Sequence, residues 1–256
     1  MKETSVTQLR PNPMKTVIVI PCYNESKRLP QDTILHYAKS HPDTAFLFAN
    51  DGSKDNTLDV LKLLCDKHEN LHVLDIQPNG GKAEAVRKGT LHALLGLKPD
   101  YVAFWDADLA TPLNEIDHFV AWMDKGYDIV TGLRLMRLGA KVHRKKMRHY
   151  LGRCFATCAS MVLRLPVYDT QCGAKMFRSE VIESLFTQPF ITHWLFDVEI
   201  FARYARTYGN KNATEKIYEL PLFQWEDVAG SQLKSRDFFK APLELMKIKR
   251  TYMKKR

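Results

Sequence analysis

Apolar residues never run far in this chain of 256 residues. A helix that crosses a bilayer needs about 20 of them in succession. The longest candidate, Phe155 to Leu165, is short and contains Arg164. The stretch through Met14 is polar, carries Pro11 and Pro13, and lacks the apolar centre of a secretory signal. Residues 1–14 are therefore expected to be a flexible N-terminus, and the protein to be made and kept in the cytosol. Cysteine is also scarce: five residues, with no Cys-x-x-Cys pair. An odd count with that spacing argues against a disulfide framework and the common zinc patterns. Cys154 and Cys158 are four apart and share a helical face, with His143 and His149 the nearest residues that could join them around a metal. Buried free thiols are the simpler expectation for all five. Internal repeats and low-complexity tracts are missing too, which leaves one globular domain large enough to bury a sizeable core.

Charge, by contrast, is plentiful and uneven. The net charge is +9, and two segments hold most of the excess. Arg134 to Arg153 contains eight Lys/Arg and no acid; Lys234 to Arg256 contains nine against Asp237 and Glu244. Such segments are either ordinary solvated faces or contacts for an anionic partner, whether phosphate, acidic membrane or nucleic acid.

Hydrophobic patterning gives an alternation of strands and helices. Thr16-Val17-Ile18-Val19-Ile20 is a β-branched run stopped by Pro21, and Ala45 to Ala49 and Leu71 to Ile76 read as further strands. Between them fall a helix over Gln31 to Ser40 and one opened by Asp55-Asn56-Thr57. Gly80-Gly81 leads into a third helix, Tyr101 to Trp105 is a buried strand, a helix is predicted from Pro112, and a strand over Tyr127 to Thr131. This order implies a mostly parallel sheet covered on both faces, with ligands beyond the carboxyl ends of its strands. Farther on, Met147, Tyr150, Leu151, Cys154, Phe155, Cys158, Met161 and Val162 form one helical stripe, either core or a docking face for a greasy substrate. Strands are predicted over Gly173 to Phe177 and Ile217 to Leu222, and a helix over Trp194 to Tyr204. Phe238 to Met253 has apolar residues at helical spacing among lysines and arginines, the pattern of a helix lying on a membrane, with Pro242 marking a break or a start. The domain is drawn over residues 15–233 and this basic amphipathic helix over 234–256.

The Tyr101 strand ends in Asp106-Ala107-Asp108. Alternation along an extended chain would send both carboxylates to one side. Mg²⁺ is commonly held by one or two carboxylates plus substrate phosphates, which suits this pair; a turn that caps the next helix is the alternative. Asn79-Gly80-Gly81-Lys82 is glycine-rich but lacks the spacing of a P-loop, so it reads as a tight turn with Lys82 a minor phosphate candidate.

Taken in order, Pro21-Cys22-Tyr23-Asn24-Glu25, Asn50-Asp51-Gly52-Ser53-Lys54-Asp55 and Asp106-Ala107-Asp108 resemble the family 2 glycosyltransferases of GT-A fold. Asp169-Thr170-Gln171-Cys172-Gly173, Trp194 to Glu199 and Trp225 to Ser231 are similar to the dolichyl-phosphate β-glucosyltransferases and, more distantly, to the dolichyl-phosphate mannose synthases. The resemblance covers Lys15 to Met253. It implies a Rossmann-like α/β sheet that binds a nucleotide sugar. It puts the nucleoside against Pro21, Tyr23, Glu25 and Asp51, although Asp51 would also serve as a turn residue before Gly52. Asp106, Ala107 and Asp108 would meet the donor diphosphate, with Asp106 and Asp108 holding Mg²⁺ or Mn²⁺. Ala110 stands where the mannose synthases often carry a glutamine, and Asn50 where the family commonly has aspartate.

The implied acceptor is a polyprenyl or dolichyl-type lipid phosphate. Such a monophosphate is largely a dianion at neutral pH and needs no protein base, only cations to place it. Arg134, Arg144 and Arg148 fall where the family has phosphate-contacting arginines, Arg134 and Arg148 foremost, and guanidinium suits phosphate. Asp108, Arg134, Arg148 and Asp197 are the catalytic set. The reading is an inverting hexosyltransferase, using UDP-glucose, peripheral on the cytosolic face of a membrane with an anionic surface as partner. The alternative is a glycosyltransferase that extends a glycan at a sugar hydroxyl, with Asp197 or Glu199 as base. A non-enzymatic nucleotide-sugar or nucleic-acid binder is a third reading; carboxylates at the strand ends repel phosphate unless a cation intervenes, so no nucleic-acid partner is expected. Oligomeric state leaves no mark in the sequence.

Overall fold

A computed structural model describes residues 15–143, 146–226 and 235–253, without the side chains of 146–149 and 235–239. In chain order the elements are β1 (Thr16–Cys22), α1 (Gln31–Ser40), β2 (Thr44–Asp51), α2 (Thr57–Cys65), β3 (Leu71–Ile76), α3 (Lys82–Leu97), β4 (Tyr101–Trp105), α4 (Glu115–Met123) and β5 (Ile129–Leu133). There follow β6 (Lys141–His143), α5 (Lys146–Leu163), β7 (Ala174–Arg178), α6 (Ser179–Phe186), α7 (Phe196–Tyr208), α8 (Asn210–Lys216), β8 (Ile217–Pro221), β9 (Gln224–Glu226) and α9 (Ser235–Tyr252).

Seven strands form the central sheet in the order β3-β2-β1-β4-β7-β5-β8. β1, β2, β3 and β4 run parallel, as do β5 and β8, while β7 is antiparallel to both β4 and β5. The strands read as solid apolar runs because both faces are covered. Val17, Val19, Leu47, Val102 and Phe104 point into one core, and Ile18, Ile20, Phe46, Phe48, Ala103 and Trp105 into the other. Strand order reverses direction between β1 and β4, where open α/β sheets place their ligands. α3 lies close on the sheet there: a β-carbon on Gly89 would come 2.5 Å from a Val19 methyl carbon.

Several expectations shift. β7, expected simply as a strand, is the one that breaks the parallel order, and the small parallel sheet of β6 and β9 is not legible in the pattern. α4 begins at Glu115, not Pro112, because residues 112–115 form a turn closed by the Glu115 N–H on the Pro112 carbonyl at 3.1 Å. α9 runs through Pro242 without stopping. Its apolar stripe faces inward: Ala241, Leu245 and Ile248 are buried in the main core, and Glu244 Oε2 accepts the Leu195 N–H at 2.9 Å. A helix that fills the core is not free to lie on a bilayer by that face. Of the free cysteines, Cys22 and Cys172 are buried, but Cys154 and Cys158 are exposed. Among the described residues, no cluster of three or more His, Cys, Asp or Glu is arranged to hold a metal. No described helix is long and apolar enough to cross a membrane. Residues 1–14 lie outside the described part.

Candidate active site

β4 ends at Trp105, whose indole N–H donates to the Thr111 carbonyl at 2.7 Å and so folds the following segment back. Asp106 and Asp108 therefore lie on a turn past the strand, and strand alternation is not what brings them together. The Leu109 N–H closes on the Asp106 carbonyl at 3.0 Å, Leu109 takes a left-handed φ of 49°, and the Ala110 N–H donates to Asp108 Oδ1 at 3.1 Å. Ala107 is buried beneath this turn. The Asp106 N–H donates to the Gly173 carbonyl at 3.0 Å, and the Asp106 carboxylate lies directly over Gly173: a β-carbon there would stand 1.8 Å from Oδ2. Glycine is required at 173 for Asp106 to face the crevice.

Lys82, the first residue of α3, reaches this carboxylate. Its Nζ is 2.5 Å from Asp106 Oδ1, with both side chains part-exposed. Burial pulls the ammonium pKa down, but Asp106, Asp197 and Asp108 together raise it above its ordinary value. Asp108 is pushed up, first by burial and then by repulsion from Asp106, against the Ala110 N–H, Lys82 and Arg28. Glu25 is raised by burial, opposed by its ion pair with Arg28 at 2.6 Å and reinforced by the charges of Asp108 and Asp55. Asp197, buried, is raised by that burial and held down by Lys175 and Lys82. Lys175 is fully buried, with Nζ 2.5 Å from Asp197 Oδ1 and 2.6 Å from the Cys172 carbonyl. Glu25, Asp106, Asp108 and Asp197 thus form one electrostatically coupled group at the β1–β4 reversal, with Lys82 in their midst.

The loop after β1 is tied to the one after β2. Asn24, at a left-handed φ of 56°, takes the Lys54 N–H on Oδ1 at 2.8 Å and donates its own N–H to Ser53 Oγ at 3.1 Å. The Glu25 N–H donates to Thr57 Oγ1 at 2.8 Å. Pro21 and Tyr23 are half-buried at the same mouth. Asp51, buried at the end of β2, is committed to the glycine turn: its carboxylate accepts the N–H groups of Gly80 and Gly81 at 2.8 and 2.7 Å and the Asn79 amide at 2.9 Å. Asn50 donates instead to Asp75 at 2.7 Å.

On the far side of the crevice Arg134 follows β5. Its Nε and Nη2 bind Asp169 Oδ2 and Oδ1 at 2.7 and 2.8 Å, a bidentate pair, and its guanidinium carbon stands 5.3 Å from the Trp225 ring centre. Burial alone would lower the Arg134 pKa; Asp169, Cys172 and Asp106 more than restore it. Asp169 is itself aimed by Glu219, which accepts its backbone N–H at 2.7 Å. β9 closes this side, with the Glu226 N–H on the Ala110 carbonyl at 3.2 Å.

The glycosyl transferase family 2 model matches residues 17–186, the span that builds both faces of this crevice up to α6. The chain belongs to glycosyl transferase family 2. Two dolichyl-phosphate β-glucosyltransferases of Trichomonas vaginalis are similar to this glycosyltransferase. One is 32% identical, over 90% of this chain and 72% of its own; the other is 29% identical, over 94% and 73%. The yeast enzyme of the same name is 27% identical, over 92% and 74%. Among solved structures, the glucosyl-3-phosphoglycerate synthase of Mycobacterium tuberculosis, in complex with Mn²⁺, UDP and glucosyl-3-phosphoglycerate, superposes with a TM-score of 0.61 at 17% identity, over 94% of this chain and 77% of its own. A Pyrobaculum calidifontis mannosyltransferase in complex with GDP-mannose and Mn²⁺ gives 0.63 at 14%, over 97% and 68%. The fold is that of the GT-A glycosyltransferases.

Not every expected member of the glycosyltransferase site is described, and one that is described is committed to other partners. Arg144 and Asp227 to Ser231 lie outside the described residues, and Arg148 is described only as backbone within α5. Glu199 is not available as a base. It is fully buried and accepts from the Ile191 and Thr192 N–H groups, the Thr192 and Tyr252 hydroxyls and the Arg203 guanidinium. Sequence reading did not single out Lys175, the need for glycine at 173, or Asp169 as the partner of Arg134. Residues 169 and 173 stood inside a quoted motif, but nothing local names their partners.

Proposed function

We propose that this glycosyltransferase moves glucose from UDP-glucose to the phosphate of a polyprenyl, dolichyl-type lipid at the cytosolic face of a membrane. The relatives that match it over nine-tenths of its length or more are named for dolichyl-phosphate glucosylation, and its fold is one in which solved structures hold Mn²⁺ beside a nucleotide. The observation that carries the reading is that one segment serves both groups: Asp169 holds Arg134 at 2.7 Å and Gly173, four residues on, seats Asp106, so that an acceptor anion at Arg134 would adjoin a donor at the carboxylates.

Asp106 and Asp108 fit a divalent cation: two carboxylates on one turn, one cradled on Gly173 and already met by a cation at 2.5 Å. Mg²⁺ or Mn²⁺, when bound there, supplies charge neutralisation for the departing diphosphate. Pro21, Tyr23 and Glu25 line the nucleoside end, with Asp51 reaching it only through lone pairs that the glycine turn leaves open. Lys82 offers its ammonium to the diphosphate once drawn off Asp106. Arg134, held by Asp169, and Arg148 position the acceptor phosphate.

The lipid phosphate oxygen attacks the anomeric carbon as the bond from that carbon to the UDP oxygen breaks, and UDP leaves with the electron pair. Configuration inverts, giving a β-linked product. A phosphate dianion carries no proton to remove. Asp197, buried and bound to Lys175, therefore acts by holding cations at the site and does not take up a proton. The test is labelled UDP-glucose with polyprenyl phosphate and Mn²⁺. Organic-soluble, mild-acid-labile label is the expected product; transfer to glycan hydroxyls with no such product would overturn the lipid-phosphate acceptor.

A further inference from the structure

α5 has an outward face unlike that of a helix against water. Tyr150, Leu151 and Met161 are 68%, 49% and 71% exposed, and Cys154 and Cys158 are exposed between them. At about 100° per residue these five positions fill one arc roughly 100° wide. No charged side chain falls within it. The opposite side of the helix is conventional, with Ala156, Ala159 and Leu163 buried. A water-facing arc of this length ordinarily carries Lys and Glu, and a continuous apolar one marks a contact.

α9 packs against α5 and adds charge. Leu243 and Met246, 69% and 48% exposed, alternate on its outer side with the exposed Lys240, Lys247 and Arg250. Glu244, the one acid among its described side chains, is turned inward onto Leu195. The described side chains of α5 include no acid. An apolar arc beside an outer surface whose described charges are all positive matches an anionic bilayer. A second copy of the chain fits poorly, since a two-fold contact through this face would bring its own bases together.

We infer that the α5–α9 face docks on an anionic lipid bilayer, the α5 arc entering the acyl boundary and the α9 bases meeting headgroups. The inference rests on the lipid-phosphate reading above and gives it a surface. The connection to the site is Tyr168. Its ring lies 4.6 Å from the Arg153 guanidinium carbon on α5, and its neighbour Asp169 grips Arg134.

The experiment is flotation of the full chain with phosphatidylcholine vesicles, with and without phosphatidylglycerol, for wild type and for Leu151→Glu/Met161→Glu. Wild type should float with the anionic vesicles, and the double variant should bind at least about tenfold more weakly. Lys240→Gln/Arg250→Gln should lose about fivefold per charge on anionic vesicles only. Metal-dependent UDP binding and transfer to a short-chain, water-soluble polyprenyl phosphate should survive in the Leu151/Met161 variant, showing that it is folded. Wild type that stays unbound, or a double variant that floats equally well, overturns the docking face and leaves the acceptor reading intact. A dimer in light scattering that Leu151→Glu dissolves overturns it in favour of a second copy. Vesicle binding without transfer to either lipid phosphate removes the acceptor reading and leaves the docking face standing.

Discussion

Lys82 Nζ lies 2.5 Å from Asp106 Oδ1, so one carboxylate of the proposed metal pair is already neutralised from within the chain. A tethered ammonium competes with any divalent ion for that oxygen. A donor diphosphate would release it, because the ammonium gains a dianionic partner as the ion takes its place. Lys82→Met should therefore bind Mn²⁺ more tightly in the absence of nucleotide. The gain should be several-fold, given the ~1 kcal/mol expected of a part-exposed ion pair. UDP-glucose should bind more weakly to the same variant. Isothermal titration of each ligand alone measures both; unchanged Mn²⁺ affinity would show that Lys82 does not compete.

Asp108 carries a pKa raised by burial and by Asp106, and the sign of its effect on stability follows. A carboxyl group that binds its proton more tightly in the folded protein favours folding at low pH. It loses that contribution as pH rises through its folded pKa. Without metal, Asp108→Asn should thus be the more stable protein at neutral pH, by about 2 °C in Tm. The difference should shrink as pH falls and vanish below the ordinary aspartate value near ~3.9. Thermal melts in EDTA across that range check it. Transfer by the same variant should drop by about 10²-fold or more, since it loses a charge that acts on the leaving group.

Gly173→Ala tests the cradle beneath Asp106. The new methyl would stand 1.8 Å from Oδ2, so the carboxylate must rotate away, while the backbone at 173 needs no unusual conformation. The fold should persist, and the Mn²⁺-dependent rise in Tm with UDP should be lost. An undiminished metal response would mean that Asp106 does not face the metal.

The strands and their loops were legible because burial on both faces writes itself as unbroken apolar runs, as in Val17 to Ile20 and Tyr101 to Trp105. α1 was legible to its ends. What stayed hidden depends on partners far off in the chain. Nothing local to Ala174–Arg178 states that it runs against β4, and Asp169 gives no sign that it closes on Arg134, 35 residues earlier. The amphipathic pattern of α9 reads the same whether its apolar side meets a bilayer or a core, and the contact that decides, Glu244 with the Leu195 N–H, spans 49 residues. The apolar stripe on α5 had two readings for the same reason. In the structure Tyr150, Leu151, Cys154, Cys158 and Met161 of that stripe are exposed, while Phe155 and Val162 are half-buried against the main core.

The Arg134–Asp169 pair makes a stability prediction separable from acceptor binding. Both side chains are largely withdrawn from water, at 14% and 9% exposed. Removing one partner of such a pair leaves the other charge uncompensated, typically at 3–5 kcal/mol. Asp169→Ala should accordingly lose about 3 kcal/mol in urea unfolding. Arg134→Met/Asp169→Leu, with both charges gone, should recover most of that loss and still fail to bind lipid phosphate. Recovery of acceptor KM together with stability would mean that Arg134 is a structural cation only.

α9 offers the sharpest contrast between a core helix and an appended one. Ile248 is fully buried in the main core, Ala241 and Leu245 are nearly so, and the Tyr252 hydroxyl donates to the buried Glu199 at 2.8 Å. Ile248→Ala should cost about 3 kcal/mol of unfolding free energy, the usual toll for emptying a closed site of this size. Leu243→Ala, on the exposed side of the same helix, should change stability by less than ~0.5 kcal/mol. Only one of the two should alter vesicle binding: Leu243→Ala weakens flotation while the fold is kept, and Ile248→Ala leaves flotation intact wherever the protein remains folded. Urea titration alongside flotation reads both. If Ile248→Ala costs nothing, α9 is not part of the core, and the inward course of its apolar stripe is wrong.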